Sequence, residues 1–179
     1  MTALVNSPTV GDIFVALQPW LMELLGLDLD HVVQDLGNGT SMPTGPFVCM
    51  SEVSMKRLST NVSTYQEAPL EGPGADVEVI QQSSDFTVGL DLYGPASGDW
   101  AVIVTTMVRT DQAVSFFMAQ GLAPLGIDDP MQLPLVNGEE QYERRWVLRM
   151  HFHYKPSVAI PAQFMRNAKI HAISNATLS

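Results

Sequence analysis

His151 and His153 stand one residue apart in Gln141–Lys155, QYERRWVLRMHFHYK. On a strand that spacing puts two imidazoles on one face, an arrangement metal sites use. A third ligand would have to converge from elsewhere, and His31, Asp128 and Glu143 are the available donors. Arg145, Arg149 and Lys155 share the same face, and their positive charge opposes the binding of a dication. The pattern therefore favours a polar strand surface. A metal-dependent enzyme using His151 and His153 is the alternative.

The other reactive residues are isolated. Cys49 has no histidine near it in sequence and falls in an apolar run, which suits a buried, inert thiol better than a nucleophile. Asp128-Asp129-Pro130 could hold a nuclease metal, but adjacent carboxylates before a proline fit a turn or a helix cap. Gly94-Pro95-Ala96-Ser97-Gly98 opens a helix after a strand and could cradle an anion on backbone N–H groups. It lacks the Lys-Ser/Thr of a phosphate loop and the glycine spacing of a dinucleotide site, so it reads as a tight strand-to-helix turn. No catalytic set, no metal site and no cofactor motif emerges. Arg144, Arg145, Arg149 and Lys155 remain, and in an acidic chain they suit ion pairs with a neighbouring subunit better than contacts to DNA phosphates.

These residues need elements to position them. Through Gln141–Lys155, Tyr142, Trp146, Leu148, Met150, Phe152 and Tyr154 alternate with Arg145, Arg149, His151, His153 and Lys155. Successive strand side chains point to opposite faces, so this is a strand with one apolar and one cationic face. It is longer than the usual strand of about 5–6 residues, and is expected at the centre of a sheet. Val10–Leu25 has helical spacing, Thr9 to cap it and Gly26 to end it, with Pro19 predicting a kink or a short break. His31–Leu36 reads as a short strand stopped by Gly37-Asn38-Gly39, and Phe47–Leu58 as a strand with neither face purely apolar. Ser59–Asp76 has no usable period and carries Gly72-Pro73-Gly74, which reads as a long exposed loop or hairpin tip. Val77–Tyr93 holds two strands, the second with Phe86, Val88, Leu90 and Leu92 on one face. A helix follows with Pro95 in its first position and Trp100, Ile103, Val104, Met107 and Val108 as its buried stripe. Gln112–Gln120 is a shorter helix, and Ala123–Asn137 is connecting structure. Pro156 and Pro161 bracket an extended link to a last strand near Ala168–Ser174.

Composition narrows the function. A chain of 179 residues with 46% hydrophobic and 16% charged residues is expected to form one domain with a real core. Its net charge of -10 argues against gripping nucleic acid and suits a body past which DNA slides without sticking. The lone cysteine points to folding in a reducing cytoplasm. The start MTALVNSPTVGD has neither the basic region of a signal peptide nor an apolar run that could span a membrane.

Two blocks of short motifs carry a family resemblance. The first is Tyr93-Gly94-Pro95, Asp99-Trp100-Ala101 and Arg109. The second runs Ala123-Pro124-Leu125, Asp128-Asp129-Pro130, Gln132-Leu133-Pro134, Asn137-Gly138-Glu139, Gln141-Tyr142, Arg145-Trp146 and Tyr154-x-Pro156. Pro43-x-Gly45-Pro46-Phe47 and Arg57-Leu58-Ser59-Thr60-Asn61 add to them. In this order they resemble the neck (tail) terminator family of tailed bacteriophages, over roughly Leu17 to Ile173. The family pattern differs at Gly126, where it tends to an aromatic, and at Lys155, where it tends to Asn.

The resemblance implies an α/β (α+β) protein, with helices packed on one face of a mixed, mostly antiparallel sheet, in a single domain over 1–179. It implies a structural virion protein with no catalytic role. The expected assembly is a homo-oligomer, a hexameric ring that caps the tail tube, ends its polymerisation and joins the tail to head-completion (connector) proteins. Such a ring leaves a channel for genomic DNA. Its contacts would be the tail tube protein and the head-completion proteins, with no membrane. The protein would be made in the host cytoplasm and reside in the neck of the virion. A head-completion or tail-tube protein is the nearest alternative.

Overall fold

Alternation of side chains sets most of the pairing in this computed structural model, which describes residues 4–6, 8–34, 42–67, 76–133, 135–136 and 142–162. In chain order the elements are β1 (Leu4–Asn6), α1 (Val10–Leu25), a 3-10 turn (Leu29–His31), β2 (Val32–Gln34), β3 (Phe47–Arg57), β4 (Val62–Gln66), β5 (Val77–Gln81), β6 (Ser84–Tyr93), α2 (Ser97–Met107) and α3 (Asp111–Met118). Then come β7 (Ala123–Ile127), β8 (Met131–Gln132), β9 (Leu135–Val136), β10 (Tyr142–Glu143), β11 (Arg145–Tyr154) and β12 (Ser157–Pro161). A six-stranded sheet has the order β2-β3-β6-β11-β7, with β8 also paired to β11. A four-stranded sheet has the order β1-β12-β5-β4, and β9 pairs with β10. The β2–β3 pair is parallel and the other described pairs are antiparallel. The fold is α+β, as the sequence implies.

The core lies between the six-stranded sheet and its helices. Phe86, Val88, Leu90 and Leu92 of β6 lie on the same face as Leu148, Met150, Phe152 and Tyr154 of β11, and all eight are at most 2% exposed. Ile13, Phe14, Leu17 and Leu21 of α1, Ala101 and Val104 of α2, and Ala113 and Phe117 of α3 cover that face. Full burial of each large side chain is worth about 1.5–3 kcal/mol. The aromatic rings lock in edge-on pairs, Phe117 with Phe152 at 5.0 Å and Phe14 with Phe86 at 6.2 Å. The strand β6, flanked along its length by β3 and β11, is the middle of this sheet; β11 lies one place further out. Trp146 is half-buried at the start of α2, where a Cβ on Gly98 would come within 3.2 Å of its Nε1.

The helix signals in the sequence are accurate at α1. Thr9 and Asp12 form a capping box, and Gly26 closes the helix in the left-handed conformation at φ 65°. No break occurs at Pro19. The carbonyl that Pro19 leaves without a donor belongs to Val15, a residue 71% exposed, so water can satisfy it. At α2 the first helical residue is Ser97, with Pro95 in the turn before it, and Ile103 points outward at 38% exposure. Gly94 makes that turn at φ 113°, with Ser97 N–H and Oγ both donating to its carbonyl.

Three stretches depart from the sequence reading. Within Ser59–Asp76, Val62–Gln66 is a strand paired along its length with β5, and 68–75 lie outside the described residues. The connecting stretch Ala123–Asn137 contributes β7 and β8 to the edge of the main sheet, and β9 to the pair with β10. The link between Pro156 and Pro161 is β12, an inner strand of the four-stranded sheet. These segments carry prolines or exposed polar residues, so periodicity is weak where pairing is nevertheless made by the backbone. The turn at Gly37-Asn38-Gly39 and the strand expected near Ala168–Ser174 lie outside the described residues. No described helix is long and apolar enough to cross a membrane.

Candidate functional site

The face of the main sheet turned away from the helices carries every polar residue singled out in β11. Alternation places Arg145, Val147, Arg149, His151 and His153 there, opposite Tyr93, Asp91, Gly89, Thr87 and Asp85 of β6. The sequence predicts a cationic face. In the structure β6 places two carboxylates, Asp91 and Asp85, on the same side, and Asp91 pairs with Arg145. Arg145 Nη2 donates to Asp91 Oδ2 at 2.9 Å, and its guanidinium sits 5.8 Å above the Tyr93 ring. Burial works to lower the Arg145 pKa, but the hydrogen bond and charge of Asp91 outweigh it, so the group stays protonated well above neutral pH. The Asp91 pairing is within one chain, whereas the sequence reading sends Arg145 to a neighbouring subunit.

The histidines are separated by their partners. His151 Nε2 faces Asp128 Oδ1 at 3.3 Å, and its Nδ1 lies 3.2 Å from Thr87 Oγ1 and 3.5 Å from Asp85 Oδ1. Thr87 in turn accepts a hydrogen bond from Ser54 on β3. The His153 Nε2 is taken by Ser83 Oγ instead. His151 is thus a cross-link of three strands and the segment after β7, while His153 ties β11 to the turn before β6. Among the described residues, no three His, Cys, Asp or Glu side chains are grouped to hold a metal.

At the other end of this face, Phe47 stacks on Tyr93 with ring centroids 4.4 Å apart, and Cys49 is buried beside them at 8% exposure. The thiol is buried with Phe47, Tyr93 and Val33, as the apolar run around it predicts, and lies near Arg145. A cleft of about 760 Å³ opens there between Met42–Phe47 and Tyr93–Pro95, with Arg144 on its rim. Arg144 Nη1 donates to Pro95 O at 3.1 Å, while Arg149 and Lys155 are exposed. Of the four cations expected at a subunit contact, two are therefore held within the chain. Asp128-Asp129-Pro130 caps no helix, and both carboxylates line a recess with Thr105, Thr106 and Arg109. It links β7 to β8, with Asp128 N–H donating to Arg149 O at 2.9 Å. The Gly94–Gly98 turn is packed against Pro46, whose Cβ would be 2.8 Å from a Cβ at Gly94, and the chain there is a structural corner.

Sequence reasoning expected exposure over Ser59–Asp76, but not that the exposed surface begins within β3. β3 is buried on both faces from Phe47 to Met50 and exposed from Glu52 to Arg57. All five residues of β4 are exposed. Val53, Met55, Leu58 and Val62 are each between 44% and 58% exposed along this arm. The failed alternation of Phe47–Leu58 is the trace of the β3 half in the sequence, and the missing period of Ser59–Asp76 that of the β4 half.

The described geometry is a two-sheet α+β fold whose sheet edges leave apolar and charged side chains exposed. The chain belongs to the phage neck terminator protein family, which it matches over residues 11–176. That family is structural, and its place is the neck of the phage particle. No curated protein matches the chain in sequence.

Proposed function

We propose that this protein is the single-domain subunit of a ring, a hexamer, that caps the tail tube in the phage neck. The ring ends tube polymerisation, receives the head-completion proteins on its other side, and leaves a channel for the genome. The observation that carries this reading is family membership across 11–176, nearly the whole chain. Charge supports it. With a net charge of -10, subunits around a channel present mostly like charge to the phosphate backbone, so DNA meets few places to bind. Arg149 and Lys155, exposed on and just beyond the outer face of β11, are contact residues between subunits in this reading; Arg145 and Arg144 shape the surface from within it.

Imaging of the isolated neck, and of the purified protein, tests the proposal. A closed sixfold ring at the junction of tube and head is the expected result. Purified protein that polymerises without limit into tubes would instead make it a tube protein, and density for this chain inside the head would make it a head-completion protein.

A further inference from the structure

Two exposed surfaces of unlike charge lie at opposite edges of the main sheet, and the order β2-β3-β6-β11-β7 fixes them there. On one side, β2 pairs with β3 only over Val48–Met50, while β3 continues to Arg57. Beyond Met50, no described strand flanks β3 on the side away from β6. This half of β3 carries Glu52, then Val53 and Met55, 44% and 53% exposed, then the adjacent cations Lys56 and Arg57, so that its net charge is positive. Neither cation has an ion pair among the described residues. On the other side, the β7–β8 edge carries Leu125 and Met131, 56% and 50% exposed, around the exposed carboxylates Asp128 and Asp129.

We infer that these two edges are the two halves of one seam, with the β3 edge of one copy packing on the β7–β8 edge of the next. The inference rests on the ring reading above and names the contact that closes it. The occupant of each edge is a second copy of this chain, for two reasons. First, the chain has 9 basic and 19 acidic residues, so copies attract only where one presents its scarce cations to the other's carboxylates. Lys56-Arg57 against Asp128-Asp129 does this, with apolar side chains on both sides to exclude water. Second, a contact between different patches on opposite edges leaves each copy one free edge of each kind. Such a head-to-tail contact propagates until it closes into a ring. The contact is between side chains: β7 has Pro124 in its ladder and a register shift opposite His151/Phe152, which make it a poor edge for adding a strand.

Charge reversal tests the seam. One variant carries Lys56→Glu and Arg57→Glu, the other Asp128→Lys and Asp129→Lys. Each is compared with wild type by size-exclusion chromatography with light scattering, and by circular dichroism. At a concentration where wild type is a ring, each variant alone is expected to be a folded monomer, with half-assembly shifted by on the order of tenfold or more. Mixed in equal amounts, the two variants should recover rings, because every seam then joins opposite charges and an even ring closes on alternating copies. If Asp128→Lys unfolds the chain by facing His151, Asp129→Lys alone takes its place in the mixture. Rings that persist in both single variants, or monomers that persist in the mixture, overturn the seam and leave the ring standing. Variants that keep their rings but lose only the joining to other neck proteins overturn it too, by giving these edges a different partner. A wild type that forms no ring, alone or in the neck, overturns the ring reading itself.

Discussion

The strand β3 holds two environments on one ladder. Its register with β6 runs from Phe47 opposite Tyr93 to Arg57 opposite Ser84, broken only by a bulge between Glu52 and Ser54. Yet Phe47–Met50 are buried on both faces, and the residues after Ser51 are exposed. The backbone pairing is continuous, so it cannot be what distinguishes the halves. The difference is cover. The first half has β2 on its other edge, the helices on one face, and Tyr93 and Val33 on the other. The second half pairs only with β6, and Tyr154 of β11 reaches it at Met55. Burial of apolar surface, at roughly 25 cal/mol per Å², therefore concentrates stability in the first half and leaves the second free for contact.

The strongest test of that contrast is in the core. Phe152 is 0% exposed and packs edge-on against Phe117, so Phe152→Ala should cost about 3–5 kcal/mol of folding free energy by denaturant titration. A loss below about 1 kcal/mol would show that β11 does not anchor the helices.

Next in size is the Arg145–Asp91 ion pair of the outer face. Asp91→Ala leaves Arg145, whose side chain is 26% exposed, without its carboxylate. The expected loss is about 1–2 kcal/mol, less than for a fully buried pair because water still reaches the guanidinium. The raised Arg145 pKa places loss of the Arg145 charge at strongly alkaline pH, so the effect should be flat from about pH 6 to 9.

A pH-dependent contribution comes instead from Tyr154. Burial first, and the charge of Glu52 second, push its phenol above the ordinary pKa, and its hydroxyl reaches Met55 Sδ at 3.2 Å. The neutral form is the one the fold favours. Its stabilisation is present below the unfolded pKa of about 10 and is lost as pH rises through the higher folded value. Melting curves of wild type and Tyr154→Phe should therefore run parallel near neutrality and diverge above about pH 10, with wild type falling faster. Parallel curves at all pH would remove Tyr154 from the core edge.

The smallest effect should be on the arm. Val62 is 58% exposed on β4, and Val62→Ser is expected to change stability by no more than about 0.5 kcal/mol. A loss comparable to that of Phe152→Ala would mean that the arm is part of the core, and would erase the contrast within β3.

How far the sequence reaches follows the same division. The bounds of α1 are legible in the sequence, because Thr9 and Gly26 act on backbone groups a few positions away, whereas the break expected at Pro19 is not made. The inward faces of β6 and β11 were legible because both strands are buried on one side, and a buried side imposes its period on the residues. Membership of the terminator family could be read from short motifs in order, several of which occupy corners such as Gly94-Pro95, where a Cβ would clash. What the sequence could not show is pairing between segments without a period. β4, β7 and β12 are held by backbone hydrogen bonds to partners distant in the chain, and these bonds are indifferent to side-chain type. Nor could it show that Asp91 lies within reach of Arg145 and Asp85 within reach of His151 on the outer face. The sequence by itself determined which residues prefer the core and which cap a helix. Only the tertiary structure decided which charges meet and which apolar residues are left uncovered, because both depend on register between strands far apart in sequence.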